Sequence, residues 1–264
     1  MTHWRATIGT ALADAWALVA PVDCAGCGAP DRALCPDCVP ALRSRLRGAA
    51  LELAGPSGAS DPLTPLVSAA LPLAAALPYE GVPRAVLLAL KNEGRTELAR
   101  ALAAPLLAAV EAAWRGSGAQ LLVPVPGSRA GTVRRGFGPV ALIARRAGLV
   151  VSPVLRVTGA AGPQQKALRL AQRLAADEHR WRANPRVQGR RVLLVDDVVT
   201  SGATLRAAAR ALRSAGAEVV GGAAICATPR RRGESSIPWR FMADDDLGHG
   251  DNEPHEDYRE GKEA

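Results

Sequence analysis

The sequence predicts an α/β protein: a mostly parallel sheet with helices on both faces, plus a small four-cysteine module near the N-terminus. Three observations predict it. Short apolar runs bounded by Pro and Gly alternate with stretches of helical spacing, the pattern of successive strand–helix units. The run "VLLV" (Val192–Val195), just ahead of Asp196 and Asp197, is apolar at consecutive positions, as a strand buried on both faces requires. Residues 24–38 hold four of the five cysteines.

The elements follow in order. Residues 5–18 have helical spacing. The stretch 8–20 contains Asp14 and has only Arg5 and His3 as basic flanks, so an amphipathic helix fits it better than a signal peptide. The helix and the cysteine module make up residues 1–45. Residues 46–66, rich in Gly, Pro and Ser, read as a linker. The α/β domain is expected over 67–229. It opens with an apolar strand ending near Tyr79, helices over 82–92 and 96–115, and a strand at Leu121–Val125. A loop, "GSRAGTVRRGFG", follows, then a helix over 139–147 and a short strand over 154–157. "TGAAGPQQKALRLAQRLAADEHRW" reads as a loop running into a helix. Strand 191–197, helix 202–214 and the apolar run "GAEVVGGAAICA" complete the unit. Residues 230–264 are polar and charged and read as a disordered tail.

Composition bounds the function. The chain has 264 residues, 48% of them hydrophobic but only 3% aromatic, so its core must be built from Leu, Val and Ala. Net charge is +8, unevenly spread. Residues 244–264 carry nine acids and two bases, a local charge of −7, which leaves about +15 on the rest. A basic body suits a polyanionic partner. Thirty Arg against three Lys (Lys91, Lys166, Lys262), with abundant Ala and Gly, also fits coding bias. No run of 18 apolar residues occurs, so no membrane span is expected and a cytoplasmic location is.

Cys24, Cys27, Cys35 and Cys38 are spaced C-x2-C-x7-C-x2-C. Each C-x2-C turn can aim two thiolates at one point, and two turns supply a tetrahedral zinc site. Disulfides and an iron–sulfur cluster are the alternatives; without a secretion signal, a reducing compartment favours zinc. Four protein thiolates leave no open coordination position, so the metal role is structural. Cys226, in an apolar strand, reads as a small core residue.

The diacid Asp196–Asp197 admits several readings. A Walker B strand needs a G-x4-G-K-[ST] loop, and the only Gly-Lys pair is Gly261-Lys262. A phosphorylation receiver needs a later phospho-accepting Asp, and none follows before the tail. Helix capping accounts for one Asp better than two. The fourth reading takes the whole of "DDVVTSGAT". Two carboxylates accept hydrogen bonds from vicinal ribose hydroxyls, and the loop of small residues after them aims backbone N–H groups at a phosphate. Such a site lies at the carboxyl end of a parallel strand.

"VLLVDDVVTSGATL" resembles the phosphoribosyl pyrophosphate (PRPP) motif of type I phosphoribosyltransferases. Other landmarks resemble the ComF family of competence-related proteins: the four-cysteine knuckle, "YEGVPRAVLLALKNEG" with Tyr79, Lys91 and Gly94, "LLVPVP" followed by "RRGF", and "QKALRLAQR" with Gln165, Leu168 and Arg173. Together they span residues 20–228. The chain departs from the family pattern at Gly138-Pro139, Ala176 and Ser201. The resemblance implies a type I phosphoribosyltransferase-like fold in which Asp196 and Asp197 bind the ribose hydroxyls. Val199, Thr200, Ser201, Gly202, Ala203 and Thr204 wrap the 5′-phosphate. Pro126, Gly127 and Ser128 face the pyrophosphate, with Lys91, Arg134 and Arg135 as candidates to neutralise it, and magnesium accompanies PRPP. Trp181 and Phe137 are candidates to stack on a base. Two functions follow: a PRPP-binding accessory factor handling single-stranded DNA in competence or recombination, or a phosphoribosyltransferase for a nucleobase or amine. The sequence marks no acceptor pocket and leaves open whether the protein is an enzyme.

Overall fold

In the computed structural model, residues 22–53, 70–127, 129–157, 181–228, 237 and 239–242 are described. The expected helix 5–18 lies outside them, as do most of the linker, the segment with Gln165, Leu168, Arg173 and Ala176, and most of the tail.

A six-stranded sheet organises these residues. Its strands are β1 (Arg47–Glu52), β2 (Ala70–Pro78), β3 (Leu121–Pro124), β6 (Arg191–Val199), β7 (Glu218–Ala227) and β8 (Arg240–Phe241). Their order is β3-β6-β7-β2-β1-β8. Strands β3, β6, β7 and β2 run parallel, while β1 is antiparallel to both β2 and β8. A separate antiparallel pair joins β4 (Leu155–Val157) to β5 (Trp181–Ala183).

The helices are α1 (Gly81–Leu88), α2 (Ala103–Trp114), α3 (Arg129–Arg135), α4 (Pro139–Arg146) and α5 (Ala203–Ser214). The sheet separates two apolar layers. On one face, α5 packs Leu205, Ala207, Ala208, Ala209 and Leu212 against the sheet, with Leu155 and Trp181 of the β4–β5 pair. On the other, α1, α2 and α4 bury Val86, Leu87, Leu106, Val140 and Ile143. Leu, Val and Ala fill both layers. Strand β6 alternates its apolar side chains between them, Leu194 into the first and Leu193 and Val195 into the second. A strand packed on both faces must be apolar throughout.

Four readings change. The first residues of the expected linker form β1, which pairs with β2 from Arg47↔Ala75 to Glu52↔Ala70. Part of the expected disordered tail is ordered: Ile237 is buried and Arg240–Phe241 caps the exposed edge of β1, supplying partners that an edge strand otherwise lacks. The expected loop after β3 contains α3. The helix expected over 82–92 is α1 followed by a π-turn at Ala89–Glu93, closed by Gly94 at φ 74°. Among the described residues, no helix is long and apolar enough to cross a membrane.

Candidate functional site

The carboxyl ends of β2, β3 and β6 open on the same side, because these strands share a sheet and a direction. A cleft of about 640 Å³ lies there. Into it come Tyr79 after β2, Pro126 and Gly127 after β3, and Asp196, Asp197 and Thr200 from β6 and its end, with Thr204 from the first turn of α5. The π-turn adds Lys91 and Asn92, α3 adds Thr132 and Arg135, and the β4–β5 pair adds Leu155 and Trp181.

Asp196 and Asp197 differ in surroundings. Asp196 is 8% exposed, and its Oδ1 accepts the Asp197 backbone N–H at 2.8 Å. Burial first, then the Asp197 charge, push its carboxyl well above the usual range; the Asp197 N–H and Lys91 oppose the shift only in part. Asp197 is paired: Lys91 Nζ lies 2.8 Å from its Oδ2. The adjacent Cys226 thiol is pushed up to about 12, by burial and then by Asp197. It is fully buried in the second apolar layer, a core residue as its sequence context suggested.

Beyond the acids, the chain turns tightly into α5. Gly202 is the N-cap, at φ 75°. A Cβ there would lie 2.5 Å from Leu51 Cδ1 and 3.0 Å from Ile237 Cδ1, so β1 and the 237 segment form the floor of this loop. Arg206 ties the two together, donating from Nη1 to Ser201 O at 2.8 Å and from Nε to Glu52 O at 2.9 Å. The N–H groups of Ala203, Thr204 and Leu205, in the first turn of α5, have no intrahelical acceptor by helix geometry. They leave the positive end of the helix dipole facing outward.

On the opposite wall, Arg135 lies over Gly127. A Cβ on Gly127 would lie 3.6 Å from Arg135 Nη2 and 3.9 Å from Thr132 Oγ1. Arg135 Nε is buried and, among the described residues, has no hydrogen-bond partner. A guanidinium N–H so placed calls for an anionic acceptor.

The structure therefore gathers Asp196, Asp197, Thr200, Thr204, Lys91, Pro126, Gly127 and Arg135 around one cleft. Val199 is buried beneath it, and Ser201, Gly202 and Ala203 shape the loop without lining the cleft. Arg134 is exposed and Phe137 packs into the second apolar layer, both outside the lining. Ser128 lies outside the described residues. Sequence reasoning missed Asn92, Thr132 and Leu155. Asn92 reaches the cleft through a π-turn, which has no sequence signature, and Thr132 sits on a helix read as loop.

The four cysteines form a second cluster, with sulfurs all within 4.8 Å of one another and Cys27 Sγ 3.6 Å from Cys35 Sγ. Sulfurs about 2.3 Å from a tetrahedral zinc ion are spaced about 3.8 Å apart, so the donor set fits such an ion. Cys24 Sγ accepts N–H groups from Gly26 at 3.4 Å and Cys35 at 3.3 Å. Burial alone would raise the Cys24 thiol; the N–H groups of Cys35, Cys27 and Gly26 outweigh it and bring the thiol down to about 6.

Comparison with known proteins bears on the cleft. Residues 130–257 match the model of the phosphoribosyl transferase domain. An orotate phosphoribosyltransferase of Streptomyces avermitilis is 43% identical over 70 residues, 24% of this chain and 38% of that protein. An adenine phosphoribosyltransferase of Kineococcus radiotolerans is 39% identical over 128 residues, 48% of this chain and 57% of that protein. The chain thus spans little more than half, or less, of the curated relatives it matches. A solved structure of the allosteric regulatory enzyme of purine biosynthesis aligns at a TM-score of 0.33 and 23% identity, over 48% of this chain and 26% of that one. The diacid strand that lines the cleft and the loop after it both lie inside the span that matches the phosphoribosyl transferase domain.

Proposed function

We propose that the cleft binds PRPP or a related ribose 5-phosphate compound and that the protein transfers the phosphoribosyl group to a nitrogen acceptor, a nucleobase or an amine. One observation carries this reading: a diacid, a helix-capping loop and an arginine whose buried Nε has no hydrogen-bond partner among the described residues surround a single cleft. Asp196 and Asp197 would accept the ribose hydroxyls. The Val199–Thr204 loop and the start of α5 would hold the 5′-phosphate. Pro126, Gly127 and Arg135 would face the pyrophosphate, and Lys91 would turn from Asp197 toward it. Magnesium fits as a companion of the pyrophosphate, since Asp196 and Asp197 bring two carboxylates to the cleft. When bound, it would neutralise the leaving pyrophosphate. The residues' own part is to orient C1 of the ribose and to stabilise departing negative charge, which governs a displacement with oxocarbenium character. Zinc in the four-cysteine knuckle would be structural, in a cytoplasmic protein.

The test is thermal. PRPP with magnesium stabilises the native state by mass action, about 2.7 kcal/mol at a hundredfold excess over Kd. Asp197→Asn should lose most of that gain in Tm. Retention of the full shift would remove the diacid from the ribose site.

The basic body favours a second reading, that of a ComF-type accessory factor in which PRPP binding accompanies the handling of single-stranded DNA. Arg134 on α3 and Arg145 and Arg146 on α4 are exposed. Single-strand binding would show a steep salt dependence. Pyrophosphate release on addition of one specific base or amine would favour transfer instead.

A further inference from the structure

Lys91 reaches Asp197 from an unusual piece of backbone. The segment is α1, its π-turn continuation and Gly94, whose N–H closes the turn on Ala89 O. A π-turn inserts an extra residue into the helical spiral and re-aims the side chains on it, at some loss of local stability. Something must hold the turn in place for the 2.8 Å contact between Lys91 Nζ and Asp197 Oδ2 to persist.

The four-cysteine knuckle touches this segment at both ends. At its start, Val82 packs against Cys24, Cys35 and Cys38. The fit is tight: a Cβ on Gly26 would lie 3.0 Å from Val82 Cγ1 and 2.7 Å from Cys38 Sγ. At its end, Arg95 donates from Nη2 to Ala33 O at 3.3 Å, while its Nε is held by Glu97 at 3.2 Å. Ala33 O also accepts the Ala25 N–H at 3.0 Å, so the carbonyl that Arg95 grips belongs to the fold of the knuckle itself. Residues 82–95 are thus pinned at two points to one small module, and Lys91 lies between them.

We propose that the knuckle is a positioning clamp for Lys91, with Arg95 as its tie, so that an intact knuckle tightens the binding of an anionic ribose ligand in the cleft. This rests on the ligand reading given above. It differs from a purely structural staple, which would hold residues 22–38 folded without bearing on the cleft. Arg95 is a positioning residue: it touches Lys91's backbone segment and the knuckle, and acts on the ligand only through Lys91.

The experiment titrates PRPP with magnesium into the full chain by calorimetry, for the wild type, Lys91→Met, Arg95→Met, the double variant and Asp197→Asn. Loss of a charge-assisted contact in Lys91→Met should weaken binding roughly tenfold. Arg95→Met should weaken it roughly fivefold, within the usual range of coupling between neighbours. The double variant should match Lys91→Met alone. Hydrogen exchange supplies the second readout: amides 89–95 should exchange faster in Arg95→Met and at the wild-type rate in Lys91→Met. Where Arg95→Met fails to fold, Val82→Ala loosens the other end of the clamp and carries the same comparison. Wild-type affinity in Arg95→Met overturns the proposal, as do losses that multiply in the double variant or unchanged exchange over 89–95. Asp197→Asn separates the two claims: wild-type affinity there defeats the ligand reading itself, whatever Arg95 does.

Discussion

Asp196 is held where a carboxylate resists being charged. Burial and the Asp197 charge raise its pKa well above the usual range, so the folded chain holds this proton more tightly than the unfolded one does. Its contribution to stability is full below the ordinary carboxylate pKa of about 4 and is lost as pH rises through the folded value. Near neutral pH, above the ordinary carboxylate pKa, the raised value of Asp196 therefore works against the ligand-free fold. Asp196→Asn keeps an acceptor for the Asp197 N–H and removes the ionisable group from its buried place. Melts at neutral pH should show Tm rising in the variant. Its affinity for a ribose phosphate should fall at least about tenfold, since hydrogen bonds to a charged acceptor contribute about 1.5–3 kcal/mol. A lower neutral-pH Tm in the variant would contradict the burial account. Placing an acid where it destabilises the empty fold is understandable if the site is selected for a ligand that supplies the missing donors.

At the scale of elements, strand β6, its loop and α5 were legible because their signals are local: a continuous apolar run, a diacid, a Gly and a helical pattern follow one another. What lies beneath the loop was not legible. β1 reads "RGAALE", with weak alternation and Gly at its second position. It becomes a strand only through its long-range register with β2 and the cap that β8 provides. Leu51 of β1 and Ile237 then meet at Gly202, although both come from stretches that looked like linker and tail. The π-turn was equally silent, since its residues are ordinary helix formers and the extra backbone residue leaves no compositional mark. The floor of the loop makes a prediction of its own. Gly202→Ala puts a Cβ 2.5 Å from Leu51 Cδ1 at a φ of 75°. The left-handed conformation costs a non-glycine residue about 1–2 kcal/mol, and overpacking adds about 1–3 kcal/mol. Denaturant unfolding should show that loss, and the PRPP-dependent gain in Tm should shrink, because relief of the clash must move the loop. Full stability in the variant would mean that Leu51 and Ile237 do not form a fixed floor.

Across the whole molecule, the two apolar layers and the knuckle form one connected body. The sheet contributes to both layers, and Ala25, Ala33 and Leu34 of the knuckle pack with Val82 against the layer that holds α1, α2 and α4. The knuckle has few apolar side chains of its own, and its buried centre consists of Cys24, Cys35 and Cys38. Thiolates crowded within 4.8 Å of one another repel unless a cation or protons neutralise them, so the module depends on what occupies it. Removal of zinc by a strong chelator should therefore release one equivalent of metal and lower Tm. The loss should appear within a single transition rather than as a separate early one, because the released segment uncovers a layer that the main sheet shares. Acid should have the same effect as the thiolates regain protons. A Tm that stays constant after complete metal removal would show that the knuckle folds without an ion.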